Sequence, residues 1–441
     1  GARYAVALSG GFDSVVLLEG MARLAGRLGP GRLRALHVHH GLQAAADAWV
    51  ASCTARCATL GVPLQVIYED ARAAPGESPE ARARDVRYAA LRAALAPGEI
   101  LLTAHQADDQ LETVLLQLLR GAGVAGLAAM PPDAPFGTGR HQRPLLAFPR
   151  ASLRRWVAAE GLEGWCADPA NEDPRLARNH LRLAVLPGIR AHWPGAAGTV
   201  GRAARHCAEA AGLLEELAAL DAQGCAAGDA LDLVAMRELS AARRRNLVRW
   251  QARRLGLPVP DERRLATLLH QAFTASRDAQ PEIRWPGALA LRHRDRLWLA
   301  AEADLLPPPP PMAWPDPERP LALGAGLGTL ALEPSRDGGL HPRALGAGPW
   351  RVRVRHGGER LVLPGRTGHH ALKTLWQEAG VPPWVRARMP LLEIDGRLAA
   401  AGEVWVDEHW WTPSGGGGFR LCWRDSRLPG QRAFVVAGRT F

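Results

Sequence analysis

Short apolar runs alternate with helix-length stretches through the first ~125 residues, and this rhythm constrains the fold more than any other feature of the chain. Tyr4–Leu8 reads as a strand and Val15–Leu28 as a helix. Leu33–His39 is a second strand, with a helix over Ala44–Leu60. Leu64–Tyr68 and Ile100–Ala104 are further strands, and Glu80–Leu95 and Asp108–Arg120 further helices. Strands separated by helices are joined by crossovers, so they lie parallel in one helix-covered sheet. Such a sheet binds its ligand beyond the carboxyl ends of its strands.

The chain has 441 residues, room for about three domains at ~150 residues each. The expected organisation is a Rossmann-like α/β parallel-sheet domain over 1–190, an all-helical domain over 195–305, a proline-rich linker over 306–320 and a small mixed α+β domain over 321–441. Ala203–Leu220 and Arg243–Leu255 carry the helical spacing of the second region. Pro307–Pro311 is an unbroken proline run and stiffens the linker. Gly, Pro and Trp with short alternating apolar stretches mark the last region as strand-rich.

With 47% hydrophobic and 22% charged residues the chain is globular rather than disordered. The absence of a short-period repeat excludes collagen-like and coiled-coil classes. No apolar run approaches the ~20 residues of a membrane helix, and no signal-peptide pattern opens the chain, so a cytoplasmic location is expected. Gly1 rather than Met opens it, as expected if a short leader has been removed. The six cysteines show no C-x-x-C spacing, against a disulfide framework or a zinc ribbon. The formal net charge is +10, with Lys373 the only lysine. Arg-rich, Lys-poor composition also follows from a GC-rich genome, but this charge favours a polyanion, nucleic acid first, over a membrane surface.

The sharpest local signal is Ser9-Gly10-Gly11-Phe12-Asp13-Ser14, between a strand and a helix. Small residues let backbone N–H groups approach a phosphate, and the helix N-terminus adds partial positive charge. Ser9 and Ser14 supply hydroxyl donors. Asp13 repels a phosphate unless a cation lies between, which implies Mg²⁺ bridging to a pyrophosphate. The bland alternative is a glycine turn with an Asp/Ser helix cap. The loop lacks the lysine of a Walker motif and the spacing of a dinucleotide fingerprint.

This loop resembles that of the N-type ATP pyrophosphatases, the PP-loop family, which cleave ATP to AMP and pyrophosphate while adenylating a carbonyl-like oxygen. Further segments narrow the resemblance: Leu36-His-Val-His-His-Gly-Leu42, Thr103-Ala-His-Gln-Ala-Asp-Asp-Gln-Leu-Glu-Thr113, Arg120-Gly-Ala-Gly-Val-Ala-Gly-Leu127, Asp168-Pro-Ala-Asn171, Arg178-Asn-His-Leu-Arg182 and Lys373-Thr-Leu-Trp-Gln-Glu-Ala-Gly-Val-Pro-Pro-Trp384. Together they resemble the tRNA(Ile)-lysidine synthetase family over nearly the whole chain. Ala122 departs from the pattern, where Ser or Thr is usual. The resemblance implies an ATP- and Mg²⁺-dependent ligase. It adenylates the wobble cytidine of a CAU-anticodon isoleucine tRNA, and the amine of free L-lysine then displaces AMP, changing codon specificity from AUG to AUA. It implies ATP binding by Ser9, Gly10, Gly11, Phe12, Asp13, Ser14, His39, Arg120 and Gly121, catalysis by Asp13, His105, Asp109 and Glu112, and a lysine site at Asp109 and Glu112. A homodimer is compatible with the sequence.

The residues support this reading without deciding it. Asp109 and Glu112 fall one helical turn apart, opposite an expected buried face of Leu111, Val114, Leu115 and Leu118. Two carboxylates beside an ATP site need a cation. A lysine ammonium fits, a Mg²⁺ site using Asp108 or Asp109 is the rival, and acidic residues in a helix's first turn also stabilise it. His37, His39 and His40 alternate or adjoin, which makes a shared metal awkward, so they are read as loop residues around the nucleotide.

Arg84 and Arg87 with Tyr88 could hold a phosphate and stack a base. Residues 140–205 carry 11 arginines against 5 acids, and 350–390 carry 8 Lys/Arg against 2, which draws both stretches toward RNA. Arg351, Arg353 and Arg355 alternate with valines and are expected on one strand face. With the residues that the resemblance implies, Arg178, Asn179, Arg182 and Lys373, the expected tRNA-contacting set is Arg84, Arg87, Arg178, Asn179, Arg182, Arg351, Arg353, Arg355 and Lys373. Trp376 and Trp384 read foremost as core. Two other functions compete: a tRNA thiolase, which needs sulfur chemistry that Cys53 and Cys57 alone do not supply, and a non-catalytic tRNA-binding protein.

Overall fold

The computed structural model describes residues 1–39, 41, 46–72, 74, 79–166, 173–276, 279–324 and 326–431. His40, Leu42 and Asp168–Asn171, quoted above, lie outside them. The chain forms two compact units, Gly1–Leu213 and Leu214–Phe441.

The first unit is the expected parallel sheet. Its strands are β1 (Tyr4–Ala7), β2 (Leu33–His39), β3 (Leu64–Tyr68), β4 (Ile100–Leu102), β5 (Asp133–Phe136) and β6 (Gly139–Gln142), in the order β3-β2-β1-β4-β6-β5. All pairs are parallel except β5 with β6. Alternate residues of β1 serve opposite faces. Val6 packs with Val15, Leu17 and Leu18 of α1 (Phe12–Leu28) and with Cys53 and Cys57 of α2 (Ala46–Leu60). Ala5 packs with Leu36, Leu101, Phe136 and Leu91 of α3 (Pro79–Ala94). Both faces are covered, which is why the strands are short continuous apolar runs. The strand order reverses between β1 and β4, so the loops leaving those two strands open side by side. That crevice is where such sheets place ligands.

Helix α4 (Ala107–Leu119) leaves the carboxyl end of β4, and the short α5 (Val124–Leu127) follows it. Leu111 and Leu115 pack on Leu186 and Ile189 and on Ala196, Ala197 and Val200. The expected buried face is thus shorter than drawn: Leu118 is 57% exposed. Leu118 lies on the same stripe as Leu111 and Leu115, but the residues that pack on those two do not reach it. Helix α6 (Arg150–Glu160), α7 (Ala177–His180), a π turn (Leu181–Val185) and α8 (Leu186–His192) complete the unit, and the division between units falls inside α9 (Ala196–Cys225).

The second unit carries expected helices: the end of α9, then α10 (Leu233–Arg237), α11 (Ala241–Arg254) and α12 (Glu262–Thr274). It also contains what an all-helical expectation omitted, an antiparallel sheet β7-β8-β11-β10-β9 built from β7 (Ala226–Ala227), β8 (Ala230–Asp232), β9 (Glu282–Trp285), β10 (Ala288–His293) and β11 (Arg296–Ala301). Ala288 and Ala290 face Leu247, Leu265 and Leu268 of the helices. Leu289 and Leu291 face the tryptophan-rich core beyond. All six residues of β10 are buried, so the period-2 alternation that betrays a half-exposed strand is absent.

The rest of the unit is strand-rich, with two five-stranded antiparallel sheets and a hairpin over 360–371. Trp376 is 1% exposed and sets its indole N–H on Met389 Sδ, while Trp384 donates to Pro429 O, so both are core residues. Met312–Ala313, just beyond the proline run, pairs with Trp350–Arg353 as an edge strand. The expected row of three arginines on one strand face does not form. The strand ends at Arg353. Arg351 is exposed opposite Glu393. Arg353 turns inward, 2.7 Å from Glu393 and 3.0 Å from Glu359. Arg355 lies past the strand end, over the Trp376 ring at 5.6 Å. Removing Arg353 leaves two carboxylates without their cation. Arg353→Ala is expected to destabilise this unit by about 3 kcal/mol in urea unfolding, whereas Arg351→Ala should change stability by less than about 0.5 kcal/mol.

Candidate active site

The Ser9–Ser14 loop leaves β1 and enters α1. Gly10 sits at φ +85°, and a Cβ there would meet Cys53 Sγ at 3.2 Å and Cys166 Sγ at 3.5 Å. Only glycine fits this turn. Ser14 Oγ donates to Gly11 O at 2.9 Å and lies 3.1 Å from Ser9 Oγ. Gly11 is the N-cap of α1, and no side chain caps it. The capping alternative is therefore not realised here, and the positive end of α1 stays available to an anion.

Asp13 has an unusual setting. Its Oδ1 is buried and accepts no hydrogen bond, with Arg150 Nε 3.9 Å away. Burial, countered by Arg150 and reinforced by Asp109, pushes its pKa up to about 6. A buried, unpartnered carboxylate oxygen beside an open helix N-terminus fits a hard divalent cation. Mg²⁺ held by Asp13 would offset the charge of a bound pyrophosphate.

The loop leaving β4 brings His105 and α4 alongside. Gln106 caps α4: its Oε1 accepts from Asp108 N, and Asp109 Oδ2 accepts from Gln106 N at 3.0 Å. The cap reading is thus realised at Asp109. Glu112 has no such role. It is 1% exposed, and it holds a cation. Arg182 sets Nε and Nη2 on its two oxygens at 2.8 and 2.9 Å, and reaches Asp109 Oδ1 at 3.5 Å. Arg178 Nε lies 3.4 Å from Glu112, and its Nη2 donates to Thr113 Oγ1. Asp108 accepts from Arg190 at 2.6 Å and from Arg150 N at 2.8 Å. These two partners commit Asp108 to structure. Among the described residues, no group of three or more His, Cys, Asp or Glu is arranged to hold a metal ion.

His105 Nδ1 lies 2.8 Å from Thr103 Oγ1. Burial and the nearby charges of Arg143, Arg84, His141 and Arg178 push its pKa down to about 3. Arg84 and Arg87 stack on Tyr88 at 5.0 and 5.7 Å. His39 Nε2 is 3.3 Å from Asp47 with its ring against Tyr68. His37 is buried with Nδ1 on Leu8 O, where it braces β1.

Other expected residues lie elsewhere. Arg120 and Gly121 end α4, roughly 16 Å along its axis from Asp109. Asn179 is 5% exposed and donates to Asp173 O, so it secures the segment carrying Arg178 and Arg182. Lys373 is exposed on the helix Leu372–Glu378. The sequence reading missed Thr103, His141, Arg143, Arg150 and Arg190. Thr103 opens the Thr103–Thr113 segment. The others carry no motif, and only the pairing of β4 with β6 and the packing of α8 on α4 bring His141, Arg143 and Arg190 in. Cys166 also joins Cys53 at Gly10, but burial pushes Cys53 up to about 12 and Cys57 up to about 11. Neutral buried thiols are poor sulfur carriers.

A nucleotide loop at a sheet's switch point, with a cation-holding carboxylate one strand away, defines an ATP-using enzyme of the PP-loop class. The family model of the PP-loop domain matches residues 1–189, that of the TilS substrate binding domain 231–298, and that of the TilS substrate C-terminal domain 350–423. The tRNA(Ile)-lysidine synthase of Methylococcus capsulatus is 44% identical over 91% of this chain and 91% of its own. That of Pseudomonas aeruginosa is 45% identical over 95% and 93%, and that of Xanthomonas campestris pv. campestris 40% over 96% and 95%. The chain belongs to the tRNA(Ile)-lysidine synthase family.

Asp13 has an opposite effect on stability and on activity. Its raised pKa means that folding favours the protonated form, so ionised Asp13 costs stability, in full above pH 6 and not at all below pH 4. Asp13→Asn is expected to raise the melting temperature of the ligand-free protein at pH 8 but not at pH 4, and to abolish ATP-dependent pyrophosphate release. An Asn variant that melts lower at pH 8 contradicts this account of Asp13.

Proposed function

We propose that this chain converts the wobble cytidine of a CAU-anticodon isoleucine tRNA to lysidine, using ATP and free L-lysine. The ATP phosphates lie on the Ser9–Ser14 loop at the open end of α1, with Mg²⁺ at Asp13. The cytidine's 2-carbonyl oxygen attacks the α-phosphorus and pyrophosphate leaves. The lysine amine then attacks the adjoining ring carbon, loses a proton and displaces AMP. A ring carbon that meets both substrates must leave the base stack, so the cytidine is extruded into the crevice.

One observation carries the lysine assignment. Glu112, buried beside the nucleotide loop with Asp109 next to it, already grips a side-chain cation, the guanidinium of Arg182. The lysine ammonium has the same charge and takes that place when Arg182 swings away. Arg84, Arg87, Arg178, Arg182, Arg351, Arg355 and Lys373 are the tRNA-facing cations of this reading. Arg353 and Asn179 drop out because their polar groups are spent inside the protein. Among the described residues no helix is long and apolar enough to cross a membrane, and we place the enzyme in the cytoplasm with its tRNA.

Glu112→Gln is expected to raise the KM for lysine at least about tenfold, the loss of one charge-assisted contact of about 1.4 kcal/mol, with the KM for ATP within about twofold. Equal rises favour the metal reading. Arg351→Ala and Arg355→Ala should each lower the slope of log affinity for tRNA against log salt by about 0.9. An unchanged slope returns those two arginines to the solvated surface.

A further inference from the structure

Strands β4 and β6 run parallel with Leu101 opposite His141, and at their carboxyl ends a chain of hydrogen bonds runs from Arg143 through His141 and Thr103 to His105. Arg143 Nη2 is 3.2 Å from His141 Nδ1. A guanidinium only donates, so His141 Nδ1 accepts and carries no proton. The neutral His141 ring then has its proton on Nε2, 2.8 Å from Thr103 Oγ1. Thr103 is buried and has one hydroxyl proton to give. Its other neighbour is His105 Nδ1 at 2.8 Å, and among the described residues no further acceptor engages the hydroxyl. The hydroxyl therefore donates to His105 Nδ1, which is left as an acceptor.

We propose that Thr103, His141 and Arg143 are positioning residues that lock His105 in its Nε2–H tautomer. His105 then offers its second nitrogen as a hydrogen-bond donor to substrate oxygen and cannot take a proton there. The direction of the chain is set at the far end by Arg143, the one member that can only donate. Charge around the ring acts in the same sense: Arg84 from α3, Arg143 just beyond β6 and Arg178 from α7 all disfavour a cationic His105. The oxygen it serves, on phosphate or on the adenylated base, rests on the lysidine reading. The tautomer does not. One consequence is that the proton lost by the attacking lysine amine goes to another acceptor than His105.

The test uses the full-length protein labelled with ¹⁵N-histidine, without substrates. Long-range ¹H–¹⁵N correlations distinguish the two neutral tautomers and the cation, and the spectrum of His105→Gln identifies His105 among the 15 histidines. The expected result is the Nε2–H pattern from pH 5.5 to 8, kept in Thr103→Ser and lost to a mixture in Thr103→Val. An Nδ1–H ring, or a doubly protonated one at pH 6, overturns the proposal in the wild-type protein alone, whatever the variants do. In lysine incorporation, Thr103→Val should lower kcat on the order of 100-fold, as for one misdirected donor, with the lysine KM unchanged and the rate restored in Thr103→Ser. A wild-type rate in Thr103→Val overturns the donor role. An Nε2–H ring in a protein that incorporates no lysine upholds the relay and refutes the lysidine reading.

Discussion

Three carboxylates in the first turns of α4 would repel one another and any phosphate nearby, and the unit is built around their neutralisation. Arg190 takes Asp108, Arg182 takes Glu112 and reaches Asp109, and Arg178 adds to Glu112. These arginines come from the 178–190 segment, which Leu186 and Ile189 hold against Leu111 and Leu115 of α4. Packing therefore sets the electrostatics. A buried carboxylate with one partner removed is costly, so Glu112 must always hold a cation, and the site can exchange one cation for another but cannot stand empty. In the function we propose, the amine substrate meets that requirement.

The strand order supplies the rest. Because β1 and β4 are neighbours, the nucleotide loop and the start of α4 open on the same crevice. Asp109 is near enough to Asp13 to help push the Asp13 pKa up. In the function we propose, the open N-terminus of α1 and the orphaned oxygen of Asp13 serve the phosphate chain, and the guarded Glu112 serves the cation.

Much of this was legible in the sequence. The four strands and helices of the first 120 residues fall within a few residues of expectation, because each strand is a bounded apolar run and each helix has one apolar stripe. The nucleotide loop was legible because Gly10 needs a positive φ and has sulfur atoms against it. The sheet over 226–301 was not, since β10 is buried on both faces and has no alternation to show. Nor was the fate of individual arginines. Arg353 and Arg351 differ by two positions in the same strand, yet one is consumed by Glu359 and Glu393 and the other is exposed. Composition reports how many cations there are. Only the fold reports which of them are already spent, and only the fold shows Arg182 resting on Glu112, the cation that the proposed exchange would free.

The central claim is that the cation site at Glu112, beside an adenylating loop, accepts lysine for transfer to RNA. The most direct measurement is incorporation of radiolabelled L-lysine into a CAU-anticodon isoleucine tRNA transcript with ATP and Mg²⁺, beside a methionine tRNA transcript. The account predicts label in the isoleucine transcript alone, lost in Glu112→Gln. Pyrophosphate release with no label in either transcript would contradict it, leaving the nucleotide site intact and the Glu112 cation purely structural.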